Sequence, residues 1–99
     1  MNVFDAVADP TRRQLLGRLR TRGPANVGAL ARGFPMSRQA VTKHLDLLAE
    51  AGLVRIRREG RARVHELDPE PLRELETWLE PYAAEWDRRL QRLKQHLEE

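Results

Sequence analysis

Residues 37–54 read SRQAVTKHLDLLAEAGLV, and four side chains near their start can make specific hydrogen bonds to a flat, polar partner. At about 100° per residue, Ala40, Val41, His44, Leu45, Leu47, Leu48 and Ala51 fall on one side of a helix. Arg38, Gln39, Thr42, Lys43, Asp46, Ala49 and Glu50 fall on the other. On that outer face the first two turns are basic or neutral, and the acids wait for the second half. A helix that only meets water favours acids at its N-terminus, where the macrodipole attracts them. Here that stabilisation is unused. Arginine and glutamine form paired hydrogen bonds with base edges, threonine meets a thymine methyl or a phosphate, and lysine meets phosphate. Arg38, Gln39 and Thr42 are therefore the candidate base readers, with Ser37 and Lys43 on the sugar-phosphate backbone.

A second basic group follows. After Gly52 the apolar period changes from 3.6 to 2. Val54 and Ile56 alternate with Arg55 and Arg57; Ala62 and Val64 alternate with Arg63 and His65. Glu59-Gly60 lies between the two runs, where a hairpin turn belongs. Arg55, Arg57, Arg58, Arg61 and Arg63 thus crowd a two-stranded ribbon, placed to lie along a minor groove or the backbone. The bland alternative is arginines that keep a sheet edge soluble.

The elements that must position these groups are short helices. Residues 3–8, VFDAVA, give one or two turns. Asp9-Pro10 is a helix start, with an acceptor at N-cap and proline at N1. That helix buries Leu15, Leu16 and Leu19 and stops at Gly23-Pro24. Asn26 caps the next, with Val27, Leu30 and Ala31 inward, and Gly33 and Pro35 end it. Ser37 then caps the polar stretch, so the pair reads as helix-turn-helix. The last element starts around Asp68, Pro69 and Pro71. It carries Leu72, Leu75, Leu79, Tyr82, Trp86, Leu90, Leu93 and Leu97 at gaps of 3 and 4, close to a coiled-coil seam. Pro81 predicts a kink there, or two helices meeting.

The 99 residues suggest one domain with a marginal core, which a second chain would help to complete. Residues 1–67 hold 13 Lys+Arg against 6 Asp+Glu, while residues 68–99 hold 5 against 9. A basic body with an acidic tail segment suggests a polyanionic partner for the body. Sixteen of the 18 basic residues are arginine, which a genome rich in arginine codons would also give, so placement rather than composition decides. No apolar run suits a membrane span or a signal peptide, and the expected location is cytoplasmic. The absence of cysteine removes disulfides, thiol chemistry and thiolate metal sites. No carboxylate pair, Ser/His/Asp set or phosphate loop suggests catalysis. The chain is thus expected to be no enzyme and to need no cofactor.

FDAVADPTRRQLLGRL, MSRQAVTKHLDLLAEAGLV and RREGRARVHELD resemble successive parts of the arsenic-repressor-like (ArsR) winged-helix transcriptional regulators. The resemblance covers nearly the whole chain, and the tail is similar to that of a cysteine-free subgroup with a long aromatic final helix. It implies a homodimer joined through the first and last helices, bound to a palindromic operator on double-stranded DNA, usually as a repressor. Metal-sensing members carry a cysteine motif where this chain has NVGALARGF. Others use paired Asp/His and His-x-x-His/Glu sets. Here His96 and Glu99 match one half, but Ala83 and Glu85 stand at the other, so no metal site is expected.

The expected fold is mainly α with a small β-hairpin: a winged helix-turn-helix with a long C-terminal dimerisation helix. Residues 10–52 form the helical core, 53–67 the wing, and 1–8 with 70–99 the dimerisation helices. The DNA-binding set is Ser37, Arg38, Gln39, Thr42, Lys43, Arg57, Arg58, Arg61 and Arg63. The dimer set is Val3, Phe4, Val7, Trp78, Tyr82, Trp86, Leu90 and Leu93. The aromatic residues of the tail are read as interface packing rather than a ligand pocket. His44 is expected to be a packed, hydrogen-bonded core histidine, and His65 a strand residue of open role. Alternatives are a metal- or small-ligand-responsive sensor, a nonspecific architectural DNA protein, and a winged protein-interaction module; any effector is unknown.

Overall fold

Each of the four shorter helices opens on a side chain that accepts a hydrogen bond from its first turn. In the computed structural model, which describes residues 1–98, the chain runs α1 (Val3–Val7), α2 (Pro10–Arg22), β1 (Ala25–Asn26), α3 (Val27–Ala31), α4 (Arg38–Glu50), β2 (Val54–Glu59) and β3 (Ala62–Leu67). A 3₁₀ turn (Glu70–Leu72) then leads into α5 (Arg73–Glu98). Asn2 caps α1 and Asp9 caps α2, each accepting at 2.9 Å. Asn26 caps α3 at 2.9 Å and Ser37 caps α4 at 3.1 Å. Caps of this kind are worth about 1 kcal/mol each, and they fix where helices shorter than four turns begin.

Arginines 12 and 13 satisfy the far end of α1. Arg12 donates to the carbonyls of Ala6 and Asp5 at 2.9 and 3.0 Å, and Arg13 donates to that of Val7 at 2.8 Å. These two charges tie α1 to α2.

The core is aliphatic. Leu15, Leu16 and Leu19 of α2 meet Leu30 of α3, Val41, Leu45 and Leu48 of α4, and Leu53 and Val54 entering the wing. Ala49, placed on the outer face of α4 by the helical wheel, is half-buried and packs against this core. A Schellman turn ends α4: Leu53 N–H reaches the Leu48 carbonyl and Gly52 N–H that of Ala49, both at 3.0 Å. It needs a residue in the left-handed region, and Gly52 sits there at φ 81°. The turn aims the buried Leu53 into the core and starts the wing.

The sheet has three strands, in the order β1-β3-β2, all antiparallel. Gly60 and Arg61 make the hairpin loop beyond the last pair, Glu59↔Ala62, one residue later than Glu59-Gly60. Gly60 has φ 59°, and among the described residues only glycines have positive φ, so Arg61 does not, the pattern of a type II′ turn. The third strand, β1, was not expected. It pairs Ala25 with His65 and Asn26 with Val64, which makes β3 the central strand. Val64 and His65 are consequently both buried, in place of the alternation that put His65 outside.

From Arg73 to Glu98 the chain is one helix with Pro81 inside it, not two helices meeting. Proline removes one N–H from the ladder; Thr77, whose carbonyl loses that donor, is on an exposed part of the helix where water can replace it. Leu72 and Leu75 pack on the core. Farther along, Trp78, Leu79, Tyr82, Trp86, Leu90, Leu93 and Leu97 are exposed. The molecule is accordingly long, 64 × 23 × 20 Å.

Candidate nucleic-acid interface

The N-terminal half of α4 exposes Arg38, Gln39 and Lys43, with Thr42 half-buried beside them. Ser37 accepts from Ala40 N–H, so its hydroxyl proton remains available to donate. Of the two acids in the second half of α4, one is engaged. Glu50 pairs with the N-terminal amine of Met1 at 3.1 Å. The buried face is held by Val41, Leu45 and Leu48, which fixes the rotation of the helix and so the direction of its polar side chains.

His44 departs from expectation. It is packed and only partly exposed, but its Nδ1 has no hydrogen-bond partner; Asp9 Oδ2 is 3.9 Å away, too far for one. Asp9 is itself engaged, and the N–H of Arg12 holds its carboxyl below the usual range, with Arg12 and His44 assisting against the effect of burial.

The wing divides its arginines between two faces. Residues directly opposite on antiparallel strands share a face, and faces alternate along the strand. Val54↔Leu67, Ile56↔His65 and Arg58↔Arg63 therefore lie on one face, and Arg55↔Glu66, Arg57↔Val64 and Glu59↔Ala62 on the other. On the second face Arg57 donates to Glu66 at 2.7 Å and approaches Glu59 at 3.4 Å. Arg55 pairs with Asp68 at 3.2 Å. Arg57 was expected to contact DNA, yet its charge is already matched within the wing. Arg58, Arg61 and Arg63 form no ion pair among the described residues. Like charges directly across a ladder are destabilising, so the Arg58–Arg63 pair is a local cost that folding alone does not explain.

Between α3, α4 and the wing lies a cleft of about 470 Å³. Arg38 and Thr42 line it from α4, Arg61, Ala62, Arg63 and His65 from the wing, and Asn26, Val27, Gly28 and Arg32 from the α3 side. Arg32 is a member that sequence reading missed. It sits just past a five-residue helix, and nothing in its neighbours' pattern shows that the turn brings it towards the wing. His65, 2% exposed, has no hydrogen-bond partner for either ring nitrogen. Burial, and next the charge of Arg63, pushes its pKa below the usual histidine value.

A helix-turn-helix domain family model matches residues 7–57. The HTH-type transcriptional regulator Rv2034 of Mycobacterium tuberculosis is 46% identical over 87 residues, 88% of this chain and 78% of that protein. The crystal structure of the ArsR family transcriptional regulator RHA00566 superposes with a TM-score of 0.73 at 42% identity, over 85% of this chain and 86% of that one. The chain belongs to the ArsR family of winged helix-turn-helix regulators. A third relative, the homodimeric winged helix-turn-helix domain of Mb0332 from Mycobacterium bovis, has a TM-score of 0.65 at 30% identity, over 84% of this chain and 76% of that one. This ArsR-family chain is thus a DNA-binding transcriptional regulator, with α3 and α4 as the helix-turn-helix and β2-β3 as the wing.

The dimer set divides by burial. Val3 is enclosed in the core of its own chain, 3% exposed, and has little surface left for a partner. Phe4 and Val7 are half-buried against that core. Phe4 meets Trp78 edge-on at 6.1 Å, and Trp78 meets Tyr82 at 5.3 Å, so α1 and the start of α5 form one aromatic patch. Trp86, Leu90 and Leu93 stand on the open length of α5. Among the described residues no three His, Cys, Asp or Glu side chains gather in a group that could hold a metal ion. Glu99, named with His96 as half of a ligand set, lies outside the described residues. No described helix is long and apolar enough to cross a membrane.

Proposed function

We propose that the protein is a cytoplasmic homodimer that binds a palindromic operator and represses transcription by occupying it. Arg38, Gln39 and Thr42 read base edges in the major groove. Ser37, Lys43, Arg58, Arg61 and Arg63 hold the flanking phosphates, and Arg57 contributes less because Glu66 and Glu59 already claim its charge. One observation carries the reading. An acid-free, exposed helix start and two wing arginines without ion-pair partners, Arg61 and Arg63, border a single cleft, and Arg63 stands there at the stability cost of facing Arg58. Repression is the usual mode of the family that the chain resembles, and a homodimer is what the Mb0332 relative forms.

Titration of fluorescent operator and random duplexes tests the assignment. Gln39→Ala should cost about 1–3 kcal/mol on the operator and relax specificity at one position, while Arg58→Ala should weaken both duplexes alike and flatten the salt dependence. Unchanged affinity and sequence preference in Gln39→Ala would show that α4 does not enter the groove by this face.

A further inference from the structure

The cleft between α3, α4 and the wing is unusual in its charge. Arg32, Arg38, Arg61 and Arg63 line it, and no carboxylate does. None of the four is ion-paired among the described residues. Room is made for one of them: a Cβ on Gly28 would stand 3.1 Å from the Arg38 guanidinium. A buried polar group also waits in the wall, since His65 has both ring nitrogens unpartnered. Four guanidinium groups around one space repel each other, and water and mobile counterions offset that only diffusely. A compact anion of two or more charges would offset it directly, through short, charge-assisted and paired hydrogen bonds of the kind arginine makes with phosphate. At about 470 Å³ the cleft also falls in the usual size range of small-molecule sites.

We infer that this cleft is a binding site for a small phosphate-bearing anion, which competes with DNA for the same arginines. The site would make the regulator responsive to a phosphorylated small molecule directly at the DNA surface, without relay through a dimer interface. Its regulatory consequence rests on the DNA-binding reading; the anion site itself does not. In the DNA complex a backbone phosphate takes the same place, so a free phosphate compound and the operator exclude each other.

The test uses the intact protein and sodium pyrophosphate, with ionic strength held constant by chloride. Calorimetry, together with NMR of the arginine side-chain N–H groups, should show saturable binding of one pyrophosphate per chain. Arg32→Gln and Arg61→Gln should each weaken it at least fivefold. Arg20→Gln removes the same charge from an exposed position on α2 outside the cleft and should change it less than twofold. Circular dichroism checks that the variants stay folded, and three independent surface positions keep the comparison valid if one does not. In a second arm pyrophosphate should release a fluorescent duplex with a midpoint that follows its direct affinity, and Arg32→Gln should shift both together. A linear, unsaturating response, or an equal loss in Arg20→Gln, overturns the site. Saturable binding that leaves the duplex bound overturns the competition. A protein that takes pyrophosphate but no duplex refutes the DNA reading and the competition while the anion site stands, so the two failures are told apart.

Discussion

His65 is the residue whose environment conflicts most with its chemistry. It is a polar, titratable side chain on the central strand, buried, with neither ring nitrogen satisfied. Burial and then the charge of Arg63 push its pKa below the ordinary 6.5, against the weaker opposing pull of the Ala25 and Arg63 backbone and of Asp46. The sign of the stability effect follows from linkage. In the unfolded chain the imidazole takes a proton as pH falls through about 6.5, while the folded chain resists until its own lower value. Stability from the neutral ring is thus complete above that range and is lost as pH falls from about 6.5 towards the folded pKa. The loss is at most about 1.4 kcal/mol per pH unit for one proton. Asp9, whose carboxyl is lowered from the ordinary 3.8, acts only as pH falls through that value and below, and leaves this window alone. Thermal unfolding should therefore give a lower midpoint at pH 5.5 than at pH 7.5, and His65→Leu should reduce that difference. Because leucine also removes an unsatisfied donor and acceptor, which cost about 1–3 kcal/mol when buried, the variant should be no less stable than the parent at pH 7.5. An identical pH dependence in both proteins would mean that another group sets it.

The wing shows at the scale of an element what could and could not be read in advance. Its strands were legible because Val54-Arg55-Ile56-Arg57 alternates, and its turn because glycine there can supply positive φ. The partition of its arginines was not, since it depends on register: Arg57 faces Glu66 and Glu59, whereas Arg58 faces Arg63. Strand β1 was hidden for a similar reason, as two residues have no period, and without it the burial of His65 could not be foreseen. The helix starts at Asp9, Asn26 and Ser37 were legible because capping is local. Arg32 was not, because its place beside the wing is tertiary. The Arg57–Glu66 pair yields a prediction of its own. Both side chains are nearly half exposed, at 46% and 45%, so the pair adds at most about 1 kcal/mol to stability. Glu66→Gln should leave the melting point almost unchanged and free a guanidinium for phosphate. Affinity for random duplex should rise several-fold and the salt slope should steepen by up to about one ion. An unaltered slope would place Arg57 away from the DNA backbone.

For the whole molecule the deciding feature is α5, which extends beyond anything its own chain can cover. Seven large apolar side chains, from Trp78 to Leu97, are exposed on it, with Trp86 at 53% and Leu90 at 57%. An exposed stripe of this length marks an interaction surface in a protein with so small a body. Fully burying such a side chain is worth ~1.5–3 kcal/mol. Burying the remaining half of seven on each of two copies would then contribute roughly 10–20 kcal/mol, against ~4–15 kcal/mol for lost freedom on association. The balance favours the proposed two-fold pair, with α5 against α5 and the Phe4–Trp78–Tyr82 patch at its margin. The tail's excess of acids, 9 against 5 basic residues, fits a surface turned away from DNA. Such a pair would set the two α4 helices about one DNA turn, ~34 Å, apart on a palindrome. Trp86→Asp places an unpaired carboxylate in the middle of that contact. Sedimentation at micromolar concentration should find the parent as a dimer and the variant shifted towards monomer. The variant should lose operator affinity, because each half-site is then held alone, and should keep much of the weaker binding to random duplex. A variant that stays dimeric would move the interface elsewhere, and a monodisperse parent monomer that grips a single half-site tightly would end the two-fold arrangement altogether.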